Sequence, residues 1–467
     1  MKARDDKISI KLPARASMWY ILTSAVTKGI GVITTPIFTR LLSGEEYGGF
    51  ALYMTLLGGA SVICSAFNSG SALYKGLKEN ETEKESYLRA TLLSSTLFSL
   101  LICLLLFTFS PFLELKLVFY IPLSLQLLCD GITAVFLSSA RFYYKYRAVA
   151  AVGIISAALP PLISVGLLTR SELGYSVRIY SLLLVSIFVA LYSLMRLLKY
   201  KGLTDKKIFL KEAAKNSLPM LPHSISSALT AQADKLIISS LLGTVALGKY
   251  SVVYSIGSAL LFIVNAIGSA LSPWIIRRLK ANEKEKIATL VQPMTLGFCA
   301  LMLCLIAIAP EAMSILAPRD YFEAFPALLP IALSTPFYFL STVATVGIVY
   351  SGQTSYSLII STVSAIGSVI LNYTLTSVCG YFGAGLAVMI CQAVSAVLGI
   401  SLLYKTKAGG MISSRGAAML ILASIPLAAL ISSLEKYLIY RGLTLIIPAA
   451  MLFYCLTKAK KLVLEKT

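Results

Sequence analysis

Long apolar runs alternate with short polar segments along the whole chain of 467 residues. Each run is about 20 residues long, the length that a helix needs to cross about 30 Å of hydrocarbon. Alternating segments of about 10 residues, which are typical of membrane β-barrels, do not occur. The pattern predicts fourteen transmembrane helices, at residues 17–38, 50–73, 90–113, 117–138, 148–168, 179–198, 217–242, 250–274, 290–309, 326–350, 356–377, 382–404, 417–434 and 441–457.

Composition agrees with this pattern. Hydrophobic residues make up 57% of the chain and charged residues 13%, whereas a soluble domain carries roughly 25% charged residues. The links between the predicted helices are too short to form a soluble domain. The basic N-terminal segment leads into the first helix without a signal-peptide cleavage pattern, so we expect this helix to be retained. The sequence therefore predicts an all-α integral membrane protein.

Basic residues are distributed unevenly between the two sides of the predicted helices. There are 41 lysines and arginines against 21 acidic residues. Of the 41, 31 lie on the side of the termini, 8 lie on the other side, and two, Lys28 and Lys235, lie within helices. Because basic loops stay in the cytoplasm, the bias predicts that both termini are cytoplasmic. The basic clusters are short and separated by apolar runs, which argues against nucleic-acid binding.

A weak internal repeat relates the two halves of the chain. Residues 41–51 align with residues 241–251, and each segment links the first two helices of a set of six. Because six is an even number, the two sets run through the membrane in the same direction. The repeat predicts two pseudo-symmetric six-helix lobes, 1–200 and 201–405, and a terminal helix pair at 406–467. We expect the transport path between the lobes.

Four ionisable residues lie within the predicted helices: Lys28, Asp130, Asp234 and Lys235. Each costs on the order of 2.5–3.5 kcal/mol near a helix centre on insertion scales, so each should face protein or a wet cavity. Lys28 is too deep to reach the interface easily, which favours a functional role. The sequence leaves open a mutual neutralisation of Asp234 and Lys235 and a structural role for Asp130.

Polar side chains share one face on each of four predicted helices, which are the equivalent first two helices of each lobe. We expect these helices to line a shared cavity, although polar stripes in membrane helices also mark helix packing. The stripes contain Lys28, Gly31 and Thr35; Ser61, Ser65 and Asn68; His223, Ser227, Thr230 and Asp234; and Ser251, Ser255, Ser258 and Asn265.

Several kinds of chemistry are excluded. His223 is the single histidine, so no metal site can use several histidine ligands. It follows Pro219 and Pro222, and a structural role at the helix start is as good an interpretation as proton handling. The eight cysteines lie in or beside apolar runs without a CxxC pair, which indicates reduced packing residues. We predict no metal, no cofactor and no catalytic residue.

Two segments resemble a known family. Residues 36–48, PIFTRLLSGEEYG, resemble the end of the first helix in the bacterial flippases that export lipid-linked O-antigen and other polysaccharide repeat units. Residues 217–250, from Ser217-Leu-Pro219 through Asp234-Lys235 to Gly248-Lys-Tyr250, are similar to the same family's seventh helix. The family belongs to the superfamily of multidrug, oligosaccharidyl-lipid and polysaccharide exporters, whose members alternate between inward-open and outward-open states.

The resemblance implies a carrier that moves an undecaprenyl-diphosphate-linked oligosaccharide from the cytoplasmic to the periplasmic leaflet of the inner membrane, in polysaccharide or lipopolysaccharide biosynthesis. It implies membrane lipids, a polysaccharide polymerase and chain-length proteins as partners. Because a diphosphate is an anion, basic side chains should bind it. The expected substrate-binding residues are Lys28, Lys235, Arg40 and Asn68. The expected ion-coupling or polar cavity residues are Asp130, Asp234, His223 and Thr230.

Two alternative functions come from other classes. A drug or cation antiporter of the same superfamily needs a carboxylate in the first lobe to hold a cation, whereas the first helix has Lys28 and no acid. A membrane glycosyltransferase or polymerase needs catalytic acids or bases, commonly in a large outside loop. The longest outside loop, near 310–326, contains Glu311, Asp320 and Glu323, which we interpret as a solvated face.

Overall fold

The computed structural model describes residues 2–68, 70–80, 82–109, 117–168, 174–199, 206–434 and 438–464. Within these ranges the backbone forms helices joined by short links, and it contains no β-strand. Two 3-10 segments lie at Leu218–Met220 and Arg319–Ala327. The α-helices are α1 (Lys2–Leu41), α2 (Gly44–Asn68), α3 (Gly70–Glu79), α4 (Lys84–Phe109), α5 (Leu117–Phe142), α6 (Tyr146–Leu168), α7 (Ser176–Leu198), α8 (Lys206–Ser217), α9 (Leu221–Leu242), α10 (Thr244–Gly257), α11 (Ala259–Lys280), α12 (Lys284–Leu316), α13 (Leu328–Tyr350), α14 (Thr354–Tyr404), α15 (Ser414–Ser433), α16 (Leu438–Thr444) and α17 (Ile446–Leu464).

The number of membrane-spanning helices agrees with the sequence. Twelve described segments are long and apolar enough to cross a membrane. One of them is α14, whose 51 residues form two helices that meet at a non-helical Gly380. The 22-residue α9 is also long enough to cross, and its polar residues explain its absence from the twelve. Counting α9 and both halves of α14 gives fourteen, so the prediction of an all-α protein with fourteen spans is confirmed.

The two halves of α14 form an antiparallel hairpin. The hydroxyls of Ser364 and Ser395, one from each half, are 2.6 Å apart. At the tip, Gly380 has φ 56° and ψ −134°, a conformation that favours glycine. A Cβ atom on Gly383 would lie 1.9 Å from the carbonyl oxygen of Leu375. The close turn therefore requires glycine at both positions.

The chain divides into two compact units, Met1–Gln232 and Ala233–Thr467. The boundary between them falls within α9. The lobe boundaries that the repeat predicts, after residues 200 and 405, stay predictions.

The core of the first unit contains apolar side chains from α3 to α8. Its largest members include Tyr87, whose ring lies against Gly76, where a Cβ atom would come within 1.9 Å. The short α8 is joined to this core by a hydrogen bond from Asn80 Nδ2 to Glu212 Oε1 of 2.7 Å. The link between α7 and α9 is thereby fixed to the ends of α3 and α4.

The second unit has its main core among α11, α12, α13, α14 and α15. The rings of Phe298 and Phe339 pack there with centroids 4.6 Å apart. The side chain of Arg441 in α16 is buried, and it donates to the carbonyl of Ala307 at 2.9 Å and to the carboxylate of Glu311. These contacts attach the terminal helices to α12.

Candidate functional site

Lys28 lies on an exposed face of α1. The neighbouring hydroxyls of Thr27 and Thr35 donate to carbonyls of their own helix, at Ser24 (3.0 Å) and Gly31 (2.8 Å). The Thr35 hydroxyl also forms a hydrogen bond with the side chain of Tyr47 on α2. The polar stripe on α1 is therefore exposed at Lys28 and contacts α2 at Thr35.

The other expected binding residues of the first unit lie far from one another. Arg40 is in the last turn of α1, where its guanidinium donates to the carbonyl of Pro36 at 2.9 Å. Asn68 is buried at the end of α2, and its carbonyl accepts from the hydroxyl of Ser138 at 3.1 Å. At a rise of 1.5 Å per residue, α2 is about 37 Å long, and Lys28 is about 18 Å from Arg40 along α1. One diphosphate cannot contact all three side chains at once.

Asp130 lies on α5 in a polar environment. Its Oδ1 accepts from Gln126 Nε2 at 3.2 Å, and the same amide nitrogen lies 2.5 Å from the hydroxyl of Ser186 on α7. Among the described residues, no lysine or arginine forms an ion pair with Asp130. The carboxyl group is therefore held by an amide and is not neutralised by a cation.

Further buried polar atoms lie close to Asp130. The hydroxyl of Tyr53 on α2 and the amide oxygen of Gln126 are buried, and neither has a hydrogen-bond partner among the residues that the structure describes. A Cβ atom on Gly131, the residue after Asp130, would lie 3.5 Å from the hydroxyl of Ser95 on α4, which is likewise buried without a partner among the described residues. Such a set of oxygen atoms around one carboxyl group suits the binding of a proton or a small cation.

The second unit contains a pair of opposite charges at the centre of α9. Asp234 is 2% exposed, and its Oδ1 lies 3.6 Å from Lys235 Nζ. The hydroxyl of the fully buried Tyr250 donates to Asp234 Oδ2 at 2.9 Å. Lys235 Nζ also lies 3.9 Å from the centroid of the Tyr254 ring, close enough for a cation–π interaction. The geometry supports the alternative in which Asp234 and Lys235 neutralise each other.

Two further expected residues lie on α9 outside this pair. His223 is exposed in the first turn of α9, directly after the 3-10 segment Leu218–Met220. The hydroxyl of Thr230 donates to the carbonyl of Ser226 in its own helix at 2.9 Å. The position of His223 agrees with a helix-start role, and Thr230 has a local backbone contact.

Arg178 is a residue that the sequence interpretation missed. It is one of the eight basic residues that the sequence assigns to the outer side, and it lies in the first turn of α7. Its guanidinium carbon is 3.8 Å from the ring centroid of Phe38 and 3.6 Å from that of Phe50. Phe38 lies in the segment 36–48 that carries the family resemblance, and Phe50 lies two residues after it. That coincidence of a basic residue with two flanking aromatic residues was not visible without the fold.

Arg178 lines a cavity of about 220 Å³ in the first unit. Its walls come from α1, α2, α6 and α7, and they combine hydroxyl groups with apolar side chains. The lining residues are Thr27, Ile30, Gly31, Thr34, Phe50, Met54, Ser156, Ala157, Pro160, Pro161, Ser164, Arg178 and Leu182.

Comparison with known proteins identifies relatives in sequence. The family model described as polysaccharide biosynthesis protein matches residues 14–279, and the model described as MatE matches residues 219–374. The succinoglycan biosynthesis transport protein ExoT of Rhizobium meliloti (strain 1021) is 26% identical over 342 residues, which is 70% of this chain and 67% of ExoT.

Solved transporters share the fold. The lipid II flippase MurJ in an inward closed conformation has a TM-score of 0.72 at 16% identity, with 95% of this chain and 100% of MurJ covered. A multidrug resistance MATE family transporter of the MOP superfamily, in its inward-facing conformation, has a TM-score of 0.62 at 13% identity, with 88% and 98% covered. The chain is a multi-pass membrane protein with this transporter fold.

Proposed function

Because the chain belongs to the polysaccharide biosynthesis protein family, we propose that it flips a polyprenyl-diphosphate-linked oligosaccharide from the cytoplasmic to the periplasmic leaflet of the inner membrane. The observation that carries the proposal is the family match over residues 14–279, which includes Lys28, the rest of α1 from residue 14 onward and all of α2. The name of ExoT, a succinoglycan biosynthesis transport protein, and that of MurJ, a lipid II flippase, support the same class of cargo.

Charge on the described helices fits an anionic cargo. Lys28 is exposed on α1, whereas the two intramembrane acids have partners, Asp130 an amide and Asp234 a lysine. In a cell with an inside-negative potential, moving one charge across the membrane is worth about 2.3 kcal/mol per 100 mV. Outward movement of two negative charges is therefore favoured by about 4.6 kcal/mol per 100 mV.

A drug or cation antiporter is the second candidate, and the MatE match over residues 219–374 favours it. Such a carrier needs an available carboxylate in the path of a cationic drug. Asp234 lies within the MatE match, but it is 2% exposed and paired with Lys235 and Tyr250. This arrangement supports the lipid-linked cargo over a cationic one.

The acidic residues of the predicted outside loop near 310–326 give little support to an enzymatic function. Glu311 forms an ion pair with Arg441, and Glu323 forms one with Lys249 at 2.5 Å. Carboxylates that are engaged in this way attach helices to each other. The chain is therefore proposed to transport its substrate without chemical change.

Asp130 is the proposed ion-coupling residue. It lies in a transmembrane helix, it has no ion pair with a described lysine or arginine, and it is close to buried oxygen atoms of Tyr53 and Gln126. A charged Asp near a helix centre costs on the order of 2.5–3.5 kcal/mol. Uptake of a proton or a small cation removes that charge, so ion binding at Asp130 would change the energy of the surrounding helices.

The proposed setting follows from the charge bias and the family. Both termini are placed in the cytoplasm, since 31 of the 41 basic residues lie on their side. A polysaccharide polymerase and chain-length proteins are the proposed partners downstream, because a flipped repeat unit has to be polymerised outside the cytoplasm.

The proposed function is tested in proteoliposomes with a fluorescent polyprenyl-diphosphate disaccharide and a membrane-impermeant quencher. The wild-type protein should accelerate loss of protection in the inner leaflet relative to empty vesicles. Lys28→Ala should lower the rate about tenfold or more, and Lys28→Arg should retain part of it. Lys78→Ala, a change to an exposed lysine at the end of α3, is the control. Equal rates with wild type and empty vesicles would overturn the function, and an unchanged Lys28→Ala rate would overturn the role of Lys28.

Ion coupling is tested in the same vesicles with an imposed proton or sodium gradient. Asp130→Asn should transport at one fixed rate whatever the gradient. Asp234→Asn should keep the gradient dependence. The Asp234 carboxylate is paired with Lys235, so we expect it to neutralise that lysine and not to bind the coupling ion. If Asp130→Asn still responds to the gradient, Asp130 is structural.

A further inference from the structure

The guanidinium of Arg178 lies among aromatic rings. The rings of Phe38 and Phe50 lie 3.8 and 3.6 Å from the guanidinium carbon. Within the part of the chain that the structure describes, no hydrogen bond or ion pair involves this guanidinium. Arginine carries five N–H donors in one plane, which match carboxylate and phosphate oxygens in pairs.

The nearby acid is engaged elsewhere. Glu46, at the start of α2, accepts from the backbone N–H of Ser43 at 2.9 Å, and the Ser43 hydroxyl accepts from the Glu46 N–H at 3.2 Å. This reciprocal pair is a capping box, which uses the carboxylate to end the turn before α2. Among the described residues, Arg178 forms no ion pair with a carboxylate.

Two hydroxyl groups that line the same cavity are available as hydrogen-bond acceptors. Thr34 and Ser164 line the cavity, and their hydroxyls donate to carbonyls of their own helices, at Gly31 (3.2 Å) and Pro160 (2.7 Å). With their hydrogens used in this way, these oxygens are left to accept hydrogen bonds. They complement a ligand that is rich in hydroxyl donors, such as a sugar.

We propose that Arg178 and its cavity form a subsite for an oxyanion, a carboxylate or a phosphate, on the transported glycolipid. Hydroxyls of the attached sugar donate to Thr34 and Ser164. The cavity, at about 220 Å³, is smaller than the roughly 300–1,000 Å³ of sites for drug-sized ligands. It therefore takes one charged group with its sugar ring rather than the whole repeat unit. This subsite rests on the proposed function for the identity of its ligand.

Binding of small probes to the purified full-length protein tests the subsite. The probes are inorganic diphosphate, digalacturonate and neutral digalactose, measured by calorimetric titration. Arg178→Met should weaken binding of diphosphate or digalacturonate about tenfold or more, and Arg178→Lys should lie in between because it lacks the planar fork. Arg196→Met, which removes another arginine of α7 that lies over a tyrosine ring, should bind within about twofold of wild type.

The pattern of losses identifies the ligand. A loss confined to diphosphate assigns the phosphate of the lipid carrier, and a loss confined to digalacturonate assigns an acidic sugar. The subsite is overturned if neither anion binds to wild type, if Arg178→Met binds both anions as wild type does, or if digalactose binding falls by the same factor. Should Arg178→Met fail to fold, Arg178→Lys decides by the same criteria.

Failure of the subsite is separable from failure of the proposed function. If wild type flips the fluorescent lipid but anion binding does not depend on Arg178, the subsite is wrong and the function stands. If anion binding depends on Arg178 but wild type does not flip the lipid, the subsite stands and the cargo has to be sought among other anionic sugars.

Discussion

The ion pair between Arg441 and Glu311 makes an asymmetric prediction about stability. The Arg441 side chain is 4% exposed, whereas that of Glu311 is 44% exposed. Arg441 donates to Glu311 Oε2 at 3.1 Å and to the Ala307 carbonyl at 2.9 Å. If Arg441 is removed, water can solvate Glu311. If Glu311 is removed, the buried guanidinium keeps a carbonyl partner but loses its counter-charge.

The two single variants should therefore differ in stability. Hydrogen bonds to charged groups contribute about 1.5–3 kcal/mol net. Because the methionine side chain fills part of the volume that the arginine occupied, we expect Arg441→Met to lower the free energy of unfolding by about 2 kcal/mol. Removal of one partner from a buried pair costs about 3–5 kcal/mol, so Glu311→Ala should be the worse variant. The double variant also removes the guanidinium that Glu311→Ala leaves without a counter-charge, so it should be close to Arg441→Met, with a coupling energy of about 3 kcal/mol or more.

Thermal denaturation of the detergent-purified protein measures this order. The midpoint temperature should fall from wild type to Arg441→Met and further to Glu311→Ala. Glu79→Ala, which breaks an exposed pair with Lys75, is the control and should cost less than about 1 kcal/mol. A midpoint for Arg441→Met below that of Glu311→Ala, or additive losses in the double variant, would refute the reasoning.

Three other variants have defined outcomes. Gly383→Ala should prevent accumulation of the folded protein, because its Cβ would lie 1.9 Å from a backbone oxygen. Gly367→Ala is the control, since its Cβ would meet no atom within 4 Å, and it should be at least as stable as wild type. Size-exclusion profiles measure both variants. Tyr250→Phe should lower stability by about 1.5–3 kcal/mol in thermal melts, because Asp234 loses a buried hydrogen bond. Hydrogen bonds from Lys286 and Arg278 lower the pKa of Glu283, so its pairing stabilises the protein above the unfolded pKa of about 4.3 and is lost as pH falls through the folded value. Glu283→Gln should therefore lower the midpoint temperature more at pH 7 than at pH 3.

Hydropathy predicted the number of spans well, because crossing a membrane imposes a length and an apolar composition that are local properties. It did not locate the breaks within them. The predicted span 250–274 is divided at Ser258, whose hydroxyl bonds to the carbonyl of Tyr254 at 2.6 Å. Such a bond competes with the regular helix, and hydropathy does not register it.

Candidate site residues could be predicted from the sequence where a charged side chain within the membrane costs free energy. Lys28, Asp130 and Asp234 were identified because ionisable groups in apolar runs need a reason. Arg178 and Arg441 were not identified, because each lies near a helix end, where a charged side chain is common and does not indicate a function. Their partners are remote in the chain, and Glu311 is 130 residues from Arg441. Only the packed structure brings such residues together.

The hairpin in α14 has a consequence for how the protein can be observed in the membrane. Its tip places Cys379 next to Gly380, and of the eight cysteines this is the exposed one, while the others are buried or half-buried. The native chain thus carries its own site for a membrane-impermeant thiol reagent, without engineered cysteines. In the proposed orientation the reagent reaches this thiol in intact cells from the periplasmic side, so labelling of one unmodified residue reports the sidedness of the chain.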